Sequence, residues 1–136
     1  MGSTWALLAG RAYRLISYDI CRAGADYYAL TTVAKEIGVD YGFVLGDTLK
    51  VDIEPTDLLF IDTLHTYGQL KGEFERHAGK VKKWIILHDT ETFGIKSEIE
   101  GEGGLWPAVE EFLAAGGWKI VERRTNNNGL TVLERV

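Results

Sequence analysis

Leu58 to Ile61 are four consecutive apolar residues without alternation, inside the stretch that runs from Asp57 to Tyr67. So short a run cannot cross a bilayer, and its lack of a polar face predicts a central parallel strand buried on both sides. Trp84 to Leu87 repeats the pattern, and both runs end in a carboxylate with an imidazole nearby: Asp62 and His65 after the first, His88 and Asp89 after the second. Between and around them the apolar positions change to helical spacing. Tyr27, Leu30, Ala34 and Ile37 predict an amphipathic helix over Ala25 to Ile37, with Gly38 placed to end it. Tyr67, Leu70, Phe74 and His77 predict a second, which Gly68 and Gly72 weaken by about 1 kcal/mol each relative to Ala.

The remaining elements follow from local chemistry. Ser3 or Thr4 is placed to cap a short helix from Trp5 to about Gly10 or Arg11. Arg14 to Ile20 and Tyr41 to Leu45 read as strands by their β-branched and aromatic content. Lys50 to Pro55 is a polar connector, because Pro55 keeps Glu54 out of helical geometry. Thr92 to Gly104, rich in glycine and carrying Glu98, Glu100 and Glu102, reads as a mobile, solvated loop with a lid as the alternative. Pro107 suits the first position of a helix through Val109, Phe112 and Leu113 that stops at Gly116-Gly117. Trp118 to Glu122 and Leu130 to Leu133 form a hairpin about Thr-Asn-Asn-Asn-Gly, whose Asn and Gly accept positive φ. The order predicts an α/β fold, a mostly parallel sheet with an antiparallel C-terminal strand, in a single domain over residues 1–136.

Composition narrows the function classes. The chain has 136 residues, 46% hydrophobic and 26% charged, with a net charge of −5. That balance fits a soluble globular domain and argues against a nucleic-acid surface, since Lys80, Lys82 and Lys83 are its largest basic cluster. Cys21 alone cannot form an internal disulfide, which fits a reducing compartment, and the N-terminal apolar patch lacks the basic flank of a signal peptide. The expectation is a cytoplasmic protein with a small-molecule substrate and no nucleic-acid or membrane partner.

Open α/β sheets bind ligands at the carboxyl ends of their strands, which makes the two His/Asp pairs the candidate site. Asp62 and Asp89, facing one cleft, could hold Mg²⁺ or another divalent cation through oxygen ligands, or simply cap the segments that follow. His65 and His88 are candidate general bases, because imidazole titrates near neutral pH. Asp62, His65 and His88 are therefore the candidate catalytic residues. His77, on the predicted helix, reads as core or surface. Tyr67, Phe93 and Trp106 could stack on a ligand, although aromatic residues in such positions are more often core. Arg123 and Arg124 read as solvated. No compact metal-ligand spacing such as His-Glu-x-x-His is present, which makes metal-dependent hydrolysis the weaker reading.

The order of these segments resembles the class I S-adenosylmethionine-dependent methyltransferases, and among them the small-molecule O-methyltransferases. Gly2-Ser3-Thr4-Trp5-Ala6-Leu7-Leu8 is similar to the end of that family's glycine-rich motif and its helix. Leu15-Ile16-Ser17-Tyr18-Asp19 is similar to the second strand, and Leu45-Gly46-Asp47-Thr48 to the motif beside the adenine. Phe60-Ile61-Asp62 and Leu87-His88-Asp89-Thr90 are similar to the strand ends that flank the methyl group. The resemblance implies a Rossmann-like sheet, S-adenosylmethionine bound by Gly2, Ser3, Thr4, Asp19, Gly46, Asp47 and Asp62, and a metal at Asp62 and Asp89. Asp19 would hold the ribose hydroxyls, and Thr90 stands where the family carries an amide ligand. The implied activity is methylation of a small hydroxylated acceptor such as a sugar or a phenol. The alternative is a non-catalytic protein of this fold that binds an adenosyl ligand or a partner subunit.

The likeness begins at the last glycine of the first motif, so the fold is expected to be N-terminally truncated. It would lack the family's first strand, between those at Arg14 to Ile20 and Leu58 to Ile61. A sheet short of that strand would rearrange, close up or take one from another protomer, so a homo-oligomer that completes the sheet is expected.

Overall fold

The structure, a computed structural model, describes the whole chain except residues 1–3, 5, 6, 8, 11, 22 and 23. Gly2 and Ser3, and most of the helix expected around Trp5, lie outside the described residues. The chain divides into two compact units, Met1–Val51 and Asp52–Val136.

The first unit is a β-α-β segment. Strand β1 (Arg14–Asp19) pairs in parallel with β2 (Asp40–Leu45), and helix α1 (Gly24–Ile37) connects them. Parallel strands need such a crossover because a tight turn cannot reverse the chain and keep its direction. Leu30 and Ala34 from α1 are buried with Val39, and Leu15 and Tyr41 from the strands pack against them. Of the helical spacing read in the sequence, Leu30 and Ala34 form the buried face, while Ile37 at its end is exposed. Gly38, at φ 76°, ends α1 in the left-handed conformation, and the chain turns so that Val39 N–H donates to the Ala34 carbonyl at 2.9 Å.

The second unit has four strands in the order β3-β4-β6-β5. Strand β3 (Thr56–Ile61), helix α2 (Tyr67–His77), a 3₁₀ turn (Ala78–Lys80) and strand β4 (Val81–His88) form a second crossover. Helix α3 (Leu105–Ala114) and the antiparallel strands β5 (Trp118–Arg124) and β6 (Leu130–Arg135) follow. The core gathers Ile61, Leu70, Phe74, Ile85, Leu87, Val109 and Leu133. Phe74 stacks on Phe112, with ring centroids 4.0 Å apart, which joins α2 to α3. His77 is buried on α2, one of the two readings the sequence allowed. The Arg135 guanidinium donates to the carbonyls of Val81 at 2.9 Å and Ala78 at 2.7 Å and lies 4.7 Å over the Trp118 ring, tying the last strand to the start of β4.

Three sequence expectations change. The Leu58 to Ile61 strand is not central: β3 is the edge of its sheet, and Leu58, Leu59 and Phe60 are only half-buried. The central parallel strand is β4, which pairs with β3 in parallel and with β6 antiparallel. Pro107 is the third residue of α3, since Gly104 is the cap and Leu105 begins the helix. The start moves because Leu105 and Trp106 N–H donate to the carbonyls of Phe93 and Gly94, both at 2.9 Å. Proline is tolerated at that third position, where an N–H has no helical acceptor.

Third, the Thr92 to Gly104 segment is tied down rather than free. Phe93 N–H donates to the Asp89 carbonyl at 3.0 Å, Gly104 N–H to Ile95 at 3.2 Å, and Lys96 bridges to Gly103. A Cβ on Gly94 would lie 2.4 Å from Trp106 Cδ1, and one on Gly104 would lie 2.6 Å from the Gly94 carbonyl oxygen, so this segment needs glycine for close packing. Strands β1 and β3 belong to different sheets, and each has a single strand partner among the described residues.

Candidate functional site

In the second unit the parallel pairing of β3 with β4 sets Ile61 opposite Leu87. The residues that follow, Asp62 on one strand and His88-Asp89 on the other, therefore emerge side by side. Asp62, His88 and Asp89 each present a ligand atom, and all three atoms lie within 4.8 Å of one another. His88 Nδ1 is 2.9 Å from Asp89 Oδ1 and 3.7 Å from Asp62 Oδ1. His65 reaches the same point from the loop before α2, with Nε2 3.0 Å from Asp89 Oδ2 and 3.7 Å from Asp62 Oδ1. The four residues singled out at the ends of the two apolar runs thus form one cluster.

His65 Nε2, His88 Nδ1 and Asp89 Oδ1 are buried without an aligned hydrogen bond, despite these short separations. Buried polar atoms are ordinarily paired, and these three converge on one point. Two carboxylates and one imidazole suit a divalent cation.

Charge sets the proton affinities here. Asp62, beside the His65 imidazole and then His88, is held below the usual carboxylate range although partial burial opposes this. His65 is raised, first by Asp62 and then by Glu98 and Asp89, against the same opposition from burial.

The loop that carries Asp89 is built for its conformation. Asp89 has φ 58°, in the left-handed region that aspartate visits more readily than most residues. The next residue, Thr90, is buried, and its hydroxyl lies 3.0 Å from that of Thr131 on β6. Glu91 and Thr92 N–H then both donate to the Asn128 carbonyl, at 2.9 and 3.0 Å. Asn128 sits in the β5-β6 turn, where Asn127, Asn128 and Gly129 all have positive φ. The turn residues that announce a hairpin in the sequence also support the Asp89 loop.

Glu98 belongs to the acidic stretch expected to be solvated or to act as a lid, and its carboxylate lies 2.8 Å from His65 Nδ1. Phe93 stacks on the His65 ring at 4.6 Å and 13°. Tyr67 and Trp106 pack against the core. Arg123, expected to be solvated, lies 4.2 Å over the Trp106 ring and pairs with Glu91 at 3.1 Å. Ile61, Leu64, His65, Leu87 and His88 line a shallow depression.

The remaining candidates lie in the first unit. Asp19 closes β1, and its Oδ1 accepts Cys21 N–H at 3.0 Å. Asp47 accepts Leu49 N–H at 2.9 Å and pairs with Lys50 at 2.9 Å, which are the contacts of a turn residue. Gly46 N–H donates to the Asp19 carbonyl at 2.8 Å, and a Cβ on Gly46 would lie 2.4 Å from Val51 Cγ1. Thr4 Oγ1 lies 3.5 Å from the Ser17 hydroxyl. No helix among the described residues is long and apolar enough to cross a membrane.

No protein-family model matches the chain, and no curated protein matches its sequence. Solved structures do match its fold. Magnesium protoporphyrin IX methyltransferase from Synechocystis PCC 6803, with bound S-adenosylhomocysteine, aligns at TM-score 0.67 and 16% identity over 99% of this chain and 70% of that one. An O-methyltransferase family 2 protein from Planctomyces limnophilus, in complex with apigenin, aligns at TM-score 0.66 and 18% identity over 98% of this chain and 46% of that one. The N-methyltransferase NodS from Bradyrhizobium japonicum aligns at TM-score 0.57 and 13% identity, covering 95% and 77%. The fold is the Rossmann-like fold of methyltransferases.

Proposed function

We propose that this chain, which carries the methyltransferase fold, transfers a methyl group from S-adenosylmethionine to a hydroxyl of a small acceptor such as a sugar or a phenol, with a divalent cation at the site. The observation that carries this reading is the convergence of Asp62, His88 and Asp89 within 4.8 Å at the carboxyl ends of paired strands. S-adenosylhomocysteine in the Synechocystis neighbour supports the choice of cofactor. S-adenosylmethionine supplies the electrophilic methyl group, and a cation such as Mg²⁺ or Mn²⁺ draws charge from the acceptor hydroxyl.

The chain's own residues bind, orient and remove a proton. Asp62, His88 and Asp89 are the ligand set, in which the His88 imidazole, expected as a candidate base, joins the two expected carboxylates. His65 Nε2, on the same cluster, would accept the hydroxyl proton as the new carbon–oxygen bond forms and the methyl–sulfur bond breaks, with S-adenosylhomocysteine leaving. The Asp19 carboxylate is suited to the ribose hydroxyls, because it can accept two hydrogen bonds at once, and Gly46 and Asp47 are assigned to the adenine. Thr4 is assigned to the glycine-rich motif with Gly2 and Ser3. Rate enhancement in such a transfer comes mainly from holding acceptor oxygen and methyl in line.

A second reading is favoured by the two separate sheets among the described residues: a non-catalytic protein that binds an adenosyl ligand or a partner subunit. Methyl-labelled S-adenosylmethionine, incubated with the chain, Mn²⁺ or Mg²⁺ and pooled sugars and phenols, separates the two. Label in an acceptor supports the enzyme. No label in any acceptor, with S-adenosylhomocysteine still bound, supports the second reading.

A further inference from the structure

Glu73, on α2, is 2% exposed and touches none of the groups that bind or react. A carboxylate taken out of water is costly unless hydrogen bonds replace its hydration. Both oxygens of Glu73 are engaged: Oε1 accepts from Gln69 Nε2 and Oε2 from the Thr63 hydroxyl, each at 2.9 Å. The first bond stays on the helix, between residues one turn apart. The second leaves the helix and reaches the turn between β3 and α2.

That turn begins at Asp62. Thr63 follows it directly, and the turn closes at Thr66, which is buried and whose hydroxyl accepts Gln69 N–H at 3.2 Å as the cap of α2. Thr66 N–H donates to the Leu64 carbonyl at 2.9 Å. The cap therefore holds the helix end of the turn, and Glu73 holds the strand end, one residue from Asp62. The Asp62 side chain is 33% exposed, so packing fixes it little and its place depends on the backbone that carries it.

The core does not require a carboxylate on this face of α2, which it shares with Leu70 and Phe74. Replacing both partners of a buried hydrogen bond by apolar groups of the same shape can be nearly neutral for stability. What such a replacement removes is the attachment between helix and turn.

We propose that Glu73 is a positioning residue, whose bond to the Thr63 hydroxyl fixes the backbone that presents Asp62 to the His88/Asp89 cluster. This rests on the reading of Asp62 as a metal ligand. Partners of this outer kind typically change metal affinity about 10- to 100-fold when removed.

The test uses the full chain and three measurements: Mn²⁺ affinity by electron paramagnetic resonance, the urea midpoint, and hydrogen exchange at Thr66 N–H in chelator. The double variant Glu73→Met, Thr63→Val replaces both partners by apolar groups. It is expected to bind Mn²⁺ about 10- to 100-fold more weakly with the urea midpoint little changed. Exchange at Thr66 is expected to be about tenfold faster in it. Glu73→Gln, whose amide oxygen still accepts from the Thr63 hydroxyl, should keep most of the affinity. Undiminished Mn²⁺ affinity in the double variant overturns the proposal, as does an equal loss in Glu73→Gln. Should the double variant fail to fold, Thr63→Val alone is read in the same way. Exchange needs no metal, so a wild-type chain that binds no Mn²⁺, with faster exchange in the double variant, defeats the metal reading and leaves the Glu73 attachment standing. Mn²⁺ binding with affinity and exchange both unchanged does the reverse, and no binding with unchanged exchange defeats both.

Discussion

Gly129→Ala separates a cost of backbone conformation from a cost of contact, and it bears on the support of Asp89. Gly129 has φ +95°, and a Cβ there would lie 2.3 Å from Glu91 N and 2.7 Å from Glu91 Cβ. The left-handed conformation alone costs a residue with a Cβ about 1–2 kcal/mol. Relief of the overlap must part the turn from the loop, breaking the two bonds that Glu91 and Thr92 N–H make to Asn128, each contributing about 0.5–1.5 kcal/mol. The expected loss is about 2–5 kcal/mol in total. Gly116→Ala is the control, because Gly116 has φ +85° with nothing within 4 Å of the added carbon, and it should lose only the conformational part. Urea denaturation followed by tryptophan fluorescence measures both, since Trp84, Trp106 and Trp118 lie in the second unit. Hydrogen exchange at Glu91 and Thr92 should speed up in Gly129→Ala alone. Equal losses in the two variants, to within about 0.5 kcal/mol, with both amides still protected, would refute the idea that this turn supports the loop.

Other expectations are shorter to state. Asp89→Asn, which keeps a side chain tolerant of positive φ, should weaken Mn²⁺ binding at least about tenfold by electron paramagnetic resonance, with the urea midpoint little changed; undiminished affinity would remove Asp89 from the ligand set. Ile85→Ala, at a fully buried position on β4, should cost about 2–5 kcal/mol in the same denaturation, and a smaller loss would mean the core collapses around the gap. Stability in chelator should depend on pH in both directions. His65 is raised from 6.5, so its contribution is complete below that value and is lost as pH rises through the higher folded value. Asp62 is lowered from 3.8, so its contribution is present above that value and is lost as pH falls through the lower folded one. His65→Gln should flatten the alkaline side of the profile, and an unchanged profile would count against the ion pairing.

The cluster was legible because two apolar runs each ended in the same pair of residue types, and parallel pairing brings equivalent strand ends together. What the runs could not reveal was the order of strands. Leu58 to Ile61 is as apolar as an interior strand, and only tertiary pairing makes it an edge. The start of α3 escaped for a similar reason: the acceptors of its first N–H groups are carbonyls of Phe93 and Gly94, more than ten residues earlier. Glu98 lies 33 residues from His65 in a stretch whose composition reads as solvated loop. Asn128 was visible only as turn chemistry. Its second use, as acceptor for two amides of another loop, depends on a contact that no local pattern encodes.

Calorimetric titration of the purified chain with S-adenosylhomocysteine, in chelator and again with Mn²⁺, tests the central reading most directly. The account predicts saturable binding in the range of about 1–100 μM, of the order of common enzyme affinities. It also predicts that Asp19→Ala abolishes the binding. Absence of heat with both S-adenosylhomocysteine and S-adenosylmethionine, with and without metal, would contradict it.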